Sequence, residues 1–256
     1  MAQDEDDDRR VARRSNKDCR DIARNTKAYY GVGRVWPVNI GRILRSGIIP
    51  TLRGERPLIY EVVEDELLGN KDAATALVDG AVKITVKKSV DAKAAWGDGR
   101  SRMTIAHELG HGVMHASEGS VDHRATGAVG TTTLSKLNAS ESAAHQAKEF
   151  ASAFLIDDER AAELGSPMEI ATEFLVSLSA AEICYERIEA DRERAAAAAR
   201  VLKASKEFQA LMHQNEKATN YLTARCVVCK SQTLLPLGTK VGCETCRFVG
   251  DHPEDG

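Results

Sequence analysis

Ser101-Arg102-Met103-Thr104-Ile105-Ala106-His107-Glu108-Leu109-Gly110-His111-Gly112-Val113-Met114-His115 is the stretch on which this sequence turns. Its apolar positions, Met103, Ile105, Ala106, Leu109 and Val113, predict a buried helix over 101–115. On a helix, residues four apart lie one above the other, so the imidazoles of His107 and His111 point at one metal ion. Glu108 stands beside them, able to take a proton from a metal-bound water and return it to a leaving amine. The HExxH pentapeptide alone also occurs on ordinary helices; its setting here is what makes it specific. His115 continues the same face. It does not fall where a metzincin third ligand would, and is read as a histidine behind the ligands or on the surface.

Upstream, the period changes. Leu58, Tyr60 and Val62 alternate with Ile59, Glu61 and Val63, and Val82, Ile84 and Val86 alternate with Lys83, Thr85 and Lys87. A period of two predicts half-buried strands, and Asp79-Gly80 before the second strand is a tight-turn signal. Helices are predicted over Asn16 to about Tyr30 and Val38 to Arg45. The expected architecture is therefore α+β, with a small antiparallel sheet ahead of a helical remainder. Residues 116–136, rich in Gly, Ser and Thr, read as a long loop beside the site. Leu137 to Ile156 returns to helical spacing, and shorter helices follow near Met168–Leu175 and Ser179–Ile188.

Four domains are expected: a solvated tail over 1–15, a core domain over 16–190, an Ala-rich helical spacer over 191–225 and a metal-binding ribbon over 226–256. The ribbon rests on Cys226-Val227-Val228-Cys229 and Cys243-Glu244-Thr245-Cys246, two knuckles whose thiolates close one tetrahedral site. Zinc binding supplies the folding energy that so short a segment cannot draw from a core.

The composition is that of an ordinary soluble chain, 43% hydrophobic and 29% charged, with a net charge of −3. No global field holds it on nucleic acid or a membrane. The first residues are acidic where a signal peptide is basic and then apolar, so a cytoplasmic protein is expected, with cysteines kept for metal. A helix-turn-helix-like pattern runs through Glu169 to Ile183. Its acidity argues against DNA: Glu169, Glu173, Glu182, Glu186 and Glu189 stand against Arg187 alone. Direct nucleic-acid binding is not expected. Cys19 and Cys184 read as inert thiols.

Arg102 to Ala106 running into His107-Glu108-Leu109-Gly110-His111 and ending at His115 resembles the ImmA/IrrE family of metallopeptidases. Gln146-Ala147-Lys148-Glu149-Phe150-Ala151-Ser152-Ala153-Phe154-Leu155-Ile156 is similar to that family's second signature helix, and the likeness extends over roughly residues 38 to 190. It implies a zincin-like core and a zinc-dependent endopeptidase, with one catalytic zinc beside the structural zinc of the ribbon. The implied substrate is a protein such as a helix-turn-helix transcriptional repressor. In the family, the second helix supplies a glutamate as third zinc ligand, and a gap-free reading puts Ala144 at that position. Alanine binds no metal. Glu141, one turn earlier on roughly the same face, and His145, the adjacent residue, are the candidate replacements. If neither serves, the implied alternative is a peptidase scaffold without activity that binds partners through its ribbon.

Overall fold

The computed structural model describes residues 9–116, 138–216 (the backbone alone over 211–216), 221, 223–238 and 240–251. The expected loop over 116–136 lies, beyond its first residue, outside the described residues. The chain divides into two compact units, Met1–Asp191 and Arg192–Gly256.

The first unit opens with α1 (Asn16–Tyr29), capped by a reciprocal box in which the Ser15 side chain accepts from the Asp18 N–H and Asp18 accepts from the Ser15 N–H. Short α2 (Ile40–Leu44) leads to β1 (Ile48–Thr51), β2 (Gly54–Val63), β3 (Ala73–Val78) and β4 (Ala81–Lys87), and then to α3 (Lys88–Ala95). The strand order is β1-β2-β4-β3. β1–β2 and β3–β4 are antiparallel as expected, but the central β2–β4 pair is parallel, which makes the sheet mixed. The connection over 64–72 carries the chain past one strand width, and the β3–β4 hairpin then folds back into the gap beside β2. Asp79 and Gly80 both take positive φ (50° and 82°) to close that hairpin, as a two-residue turn of this hand requires. Val82, Ile84 and Val86 of the central strand β4 are fully buried.

Helix α4 (Gly99–His115) starts at an Asp98 cap that accepts from the Ser101 N–H. It packs on the sheet through a close approach at Gly112, where a Cβ would stand 2.8 Å from Ile49 Cδ1 and 3.0 Å from Val82 Cγ1. Its other face meets α5 (Ala143–Leu155), whose Phe150 and Phe154 rings stack at 5.5 Å between centroids. Arg102, buried at the start of α4, donates to the carbonyls of Leu175 and Val38 at 3.0 Å each. Leu175 is the C-cap of α7 (Pro167–Phe174), so a cation satisfies an orphan carbonyl at the negative end of a helix. α6 (Asp158–Glu163) lies between α5 and α7.

Two further expectations change. Residues 9–15 are not a solvated tail: Val11 N–H donates to Glu141 O at 2.9 Å, Arg14 N–H to Ser140 O at 2.9 Å, and Ala143 N–H to Arg9 O at 3.0 Å. The segment is tied to the turn before α5 because its backbone finds partners there, whatever the charges around it. Nor is Ser179–Ile188 a short helix. It is the start of α8 (Leu178–Glu216), 39 residues long, since the Ala195–Ala199 run continues the helix with no breaker. Through Ala181, Cys184 and Ile188 its first turns are buried in the core, as expected for a packed helical pair; residues 191–210 are exposed. Among the described residues no helix is long and apolar enough to cross a membrane.

The second unit carries a three-stranded antiparallel sheet, β5 (Leu234–Leu237), β6 (Lys240–Cys243) and β7 (Val249–Asp251), in the order β5-β6-β7.

Candidate active site and metal centres

Helix α4 delivers His107 and His111 on one face, with their Nε2 atoms 3.0 Å apart. Two nitrogens held about 2.1 Å from a shared zinc at the tetrahedral angle stand about 3.4 Å apart, so the pair fits as two ligands of one ion. Loss of water around the His111 ring, the largest cause, pushes its pKa well below 6.5, which favours the neutral form that a metal requires. Gly110, inside the motif, is what lets this face approach α5. A Cβ there would stand 2.9 Å from Phe150 Cδ1 and 3.3 Å from Ala147 Cα.

Glu108 turns toward the sheet. Its Oε2 accepts from the Thr75 hydroxyl at 2.6 Å, and the same hydroxyl lies 3.0 Å from the Glu108 carbonyl oxygen. Thr75 belongs to β3, the edge strand, so a carboxylate on the helix is aimed from a strand 33 residues away in sequence.

Behind the pair stands a chain of polar groups. His111 Nδ1 lies 3.0 Å from His115 Nδ1, and His115 Nε2 lies 3.1 Å from Gln146 Oε1 on α5. Gln146 in turn donates to Ala12 O at 2.9 Å and Ser140 O at 2.7 Å, and accepts from Arg14 Nη1 at 2.9 Å. His115 is 1% exposed and Gln146 not at all. No periodicity in the sequence reports Thr75, Gln146, Ala12 or Arg14 as partners of the motif. Each reaches it across a long loop closure.

The two candidate third ligands face elsewhere. Glu141, in the single 3-10 turn before α5, pairs with Arg10 at 2.7 Å. His145 Nε2 lies 3.0 Å from Asn16 Oδ1, at the start of α1. Among the described residues, the one group of three or more His, Cys, Asp or Glu whose ligand atoms all lie within 4.8 Å is the set of four cysteines. Neither Glu141 nor His145 therefore joins His107 and His111 in this conformation.

That second set, Cys226, Cys229, Cys243 and Cys246, could hold a metal ion. Sγ atoms about 2.3 Å from a tetrahedral zinc are about 3.8 Å apart; Cys226–Cys246 and Cys229–Cys243 are each at 3.6 Å. The Ser231 and Thr233 hydroxyls lower the Cys243 thiol to about 5, which favours the thiolate. Both knuckles close the same way, with the residue after the second cysteine at positive φ: 63° at Lys230 and 59° at Arg247. By contrast, burial raises the Cys19 and Cys184 thiols to about 11, which leaves them unreactive.

Residues 96–188 match the Peptidase_M78 family model, described as the IrrE N-terminal-like domain. This segment is similar to an IrrE N-terminal-like domain. The match spans a little over a third of the chain and takes in α4 with its HExxH, the turn before α5, and the helices as far as Ile188 in α8. No curated protein and no solved structure matches the chain. The match supports a metallopeptidase-type function for the first unit; the second unit lies outside it.

Proposed function

We propose that the chain is a zinc-dependent endopeptidase of the cytoplasm that acts as a regulator by cutting a protein, a helix-turn-helix transcriptional repressor being the substrate class the family likeness suggests. The observation that carries this reading is the convergence of His107 and His111 Nε2 at 3.0 Å beside a Glu108 carboxylate oriented by Thr75. A zinc ion bound there supplies Lewis acidity toward a water molecule and the scissile carbonyl. Glu108 accepts the proton that the attacking water loses and passes it to the departing amine, so that peptide and water leave as a carboxylic acid and an amine. The Thr75 hydroxyl keeps the carboxylate turned to that task. β3 is a sheet edge, and an extended substrate segment can add to it through main-chain hydrogen bonds. In this reading a second zinc, at the four cysteines, holds the ribbon folded for docking of substrate or partner.

A third ligand comes from Glu141 if it releases Arg10, or from His145 if it releases Asn16. Ala144, together with these two engaged side chains, favours a second reading: a peptidase scaffold that binds a regulatory partner through the ribbon without cutting it. Glu108→Gln separates the two. The endopeptidase reading predicts a fall of at least about a hundredfold in cleavage with folding unchanged; a Glu108→Gln chain with its full biological effect supports the scaffold.

A further inference from the structure

We propose that Gln146 and His115 are positioning residues that fix the ring tautomer of His111, leaving the His111 Nε2 lone pair facing the position between it and His107. Two backbone carbonyls fix the orientation of the Gln146 amide. Ala12 O and Ser140 O can only accept, and the Gln146 atom 2.9 Å and 2.7 Å from them must be the amide nitrogen. A flipped amide would set its oxygen against both carbonyls and its nitrogen against the Arg14 guanidinium. Gln146 Oε1 is therefore an acceptor, and the His115 Nε2 that lies 3.1 Å from it carries the hydrogen. A neutral imidazole that donates at Nε2 accepts at Nδ1. His115 Nδ1 thus takes the hydrogen of His111 Nδ1 at 3.0 Å, and His111 Nε2 is left bare, 3.0 Å from His107 Nε2.

The relay runs from the N-terminal segment, through α5, into the metal-facing atom of α4, and every link in it is a distance within hydrogen-bonding range. It explains why Gln146 and His115 are buried: buried polar groups persist where they are satisfied. It also gives Arg14 and the Ala12 carbonyl a task that a solvated tail would not have. Its purpose rests on the endopeptidase reading; the tautomer itself does not.

The test uses the full chain with its ribbon loaded with zinc and its histidines labelled with nitrogen-15. In a His107→Ala chain, where the pair can no longer clamp a metal, long-range proton–nitrogen correlation spectra are expected to show His111 protonated at Nδ1 and His115 at Nε2. This is the reverse, for His111, of the form that solvent favours. Adding Gln146→Leu is expected to release His111 to the Nε2–H form. His111 protonated at Nε2 in the His107→Ala chain alone overturns the relay.

A second measurement excludes a merely packing role. With His107 intact, His115→Gln can accept from His111 and donate to Gln146. It is expected to keep zinc affinity at the pair within a few fold, whereas His115→Leu loses about 10–100-fold. Equal losses in the two variants overturn the proposal. A wild-type chain holding one zinc, with His111 protonated at Nδ1 in the His107→Ala chain, overturns the endopeptidase reading and supports the relay. Two zincs with His111 in the Nε2–H form do the reverse.

Discussion

The two candidate metal centres are built in opposite ways. Four thiols of the ribbon come from two CxxC knuckles within 21 residues of chain, and each knuckle repeats the other down to the positive φ that follows it. The histidine pair is equally local, two residues on one helix. Its support is not: Thr75 comes from β3, Gln146 from α5, and the groups that orient Gln146 from residues 12, 14 and 140. A centre whose ligands carry their own geometry needs little from the rest of the fold. A centre with two ligands on one helix depends on that fold for its aim, its tautomer and any third ligand.

Substitutions can break this contrast, and the largest effect falls on the ribbon. Metal binding contributes on the order of 10 kcal/mol to the folding of such a segment. Cys243→Ala is therefore expected to abolish protection from amide hydrogen exchange over 226–251 and leave that of 16–188 unchanged. Protection retained in the ribbon would mean that Leu234, Val241 and Phe248 fold it without metal. Gly110→Ala strikes the other centre through its packing. The new methyl meets Phe150 and the Ala147 backbone, so a loss of about 1–3 kcal/mol is expected by denaturant unfolding of the first unit. Metal affinity at the pair should fall with it while the ribbon's does not. Smallest is Lys230→Gly, which relieves a left-handed conformation that costs an L-residue about 1–2 kcal/mol, offset in part by the greater freedom of unfolded glycine, and is expected to give a slower loss of zinc to a chelator.

The same contrast marks what could be read before the fold was known. The helices expected over 16–30 and 101–115, the CxxC pairs and the alternation of β4 are patterns of neighbouring residues, and each lies close to where the spacing puts it. The parallel β2–β4 pairing, the docking of residues 9–15 and the turning of Glu141 toward Arg10 and of His145 toward Asn16 are settled by which distant backbone lies alongside. No local period encodes that. Gln146 is the instructive case. It was visible as part of a family-like helix, yet its role depends on two carbonyls and a guanidinium more than 100 residues away or across a turn.

The proposed function requires the histidine pair of α4 to hold a metal in addition to the one in the ribbon. Zinc per chain, measured by metal mass spectrometry on the wild type and on a His107→Ala/His111→Ala chain, tests it directly. The account predicts two zincs falling to one. One zinc in both chains would contradict it, leaving the ribbon as the sole metal centre and the first unit as a scaffold.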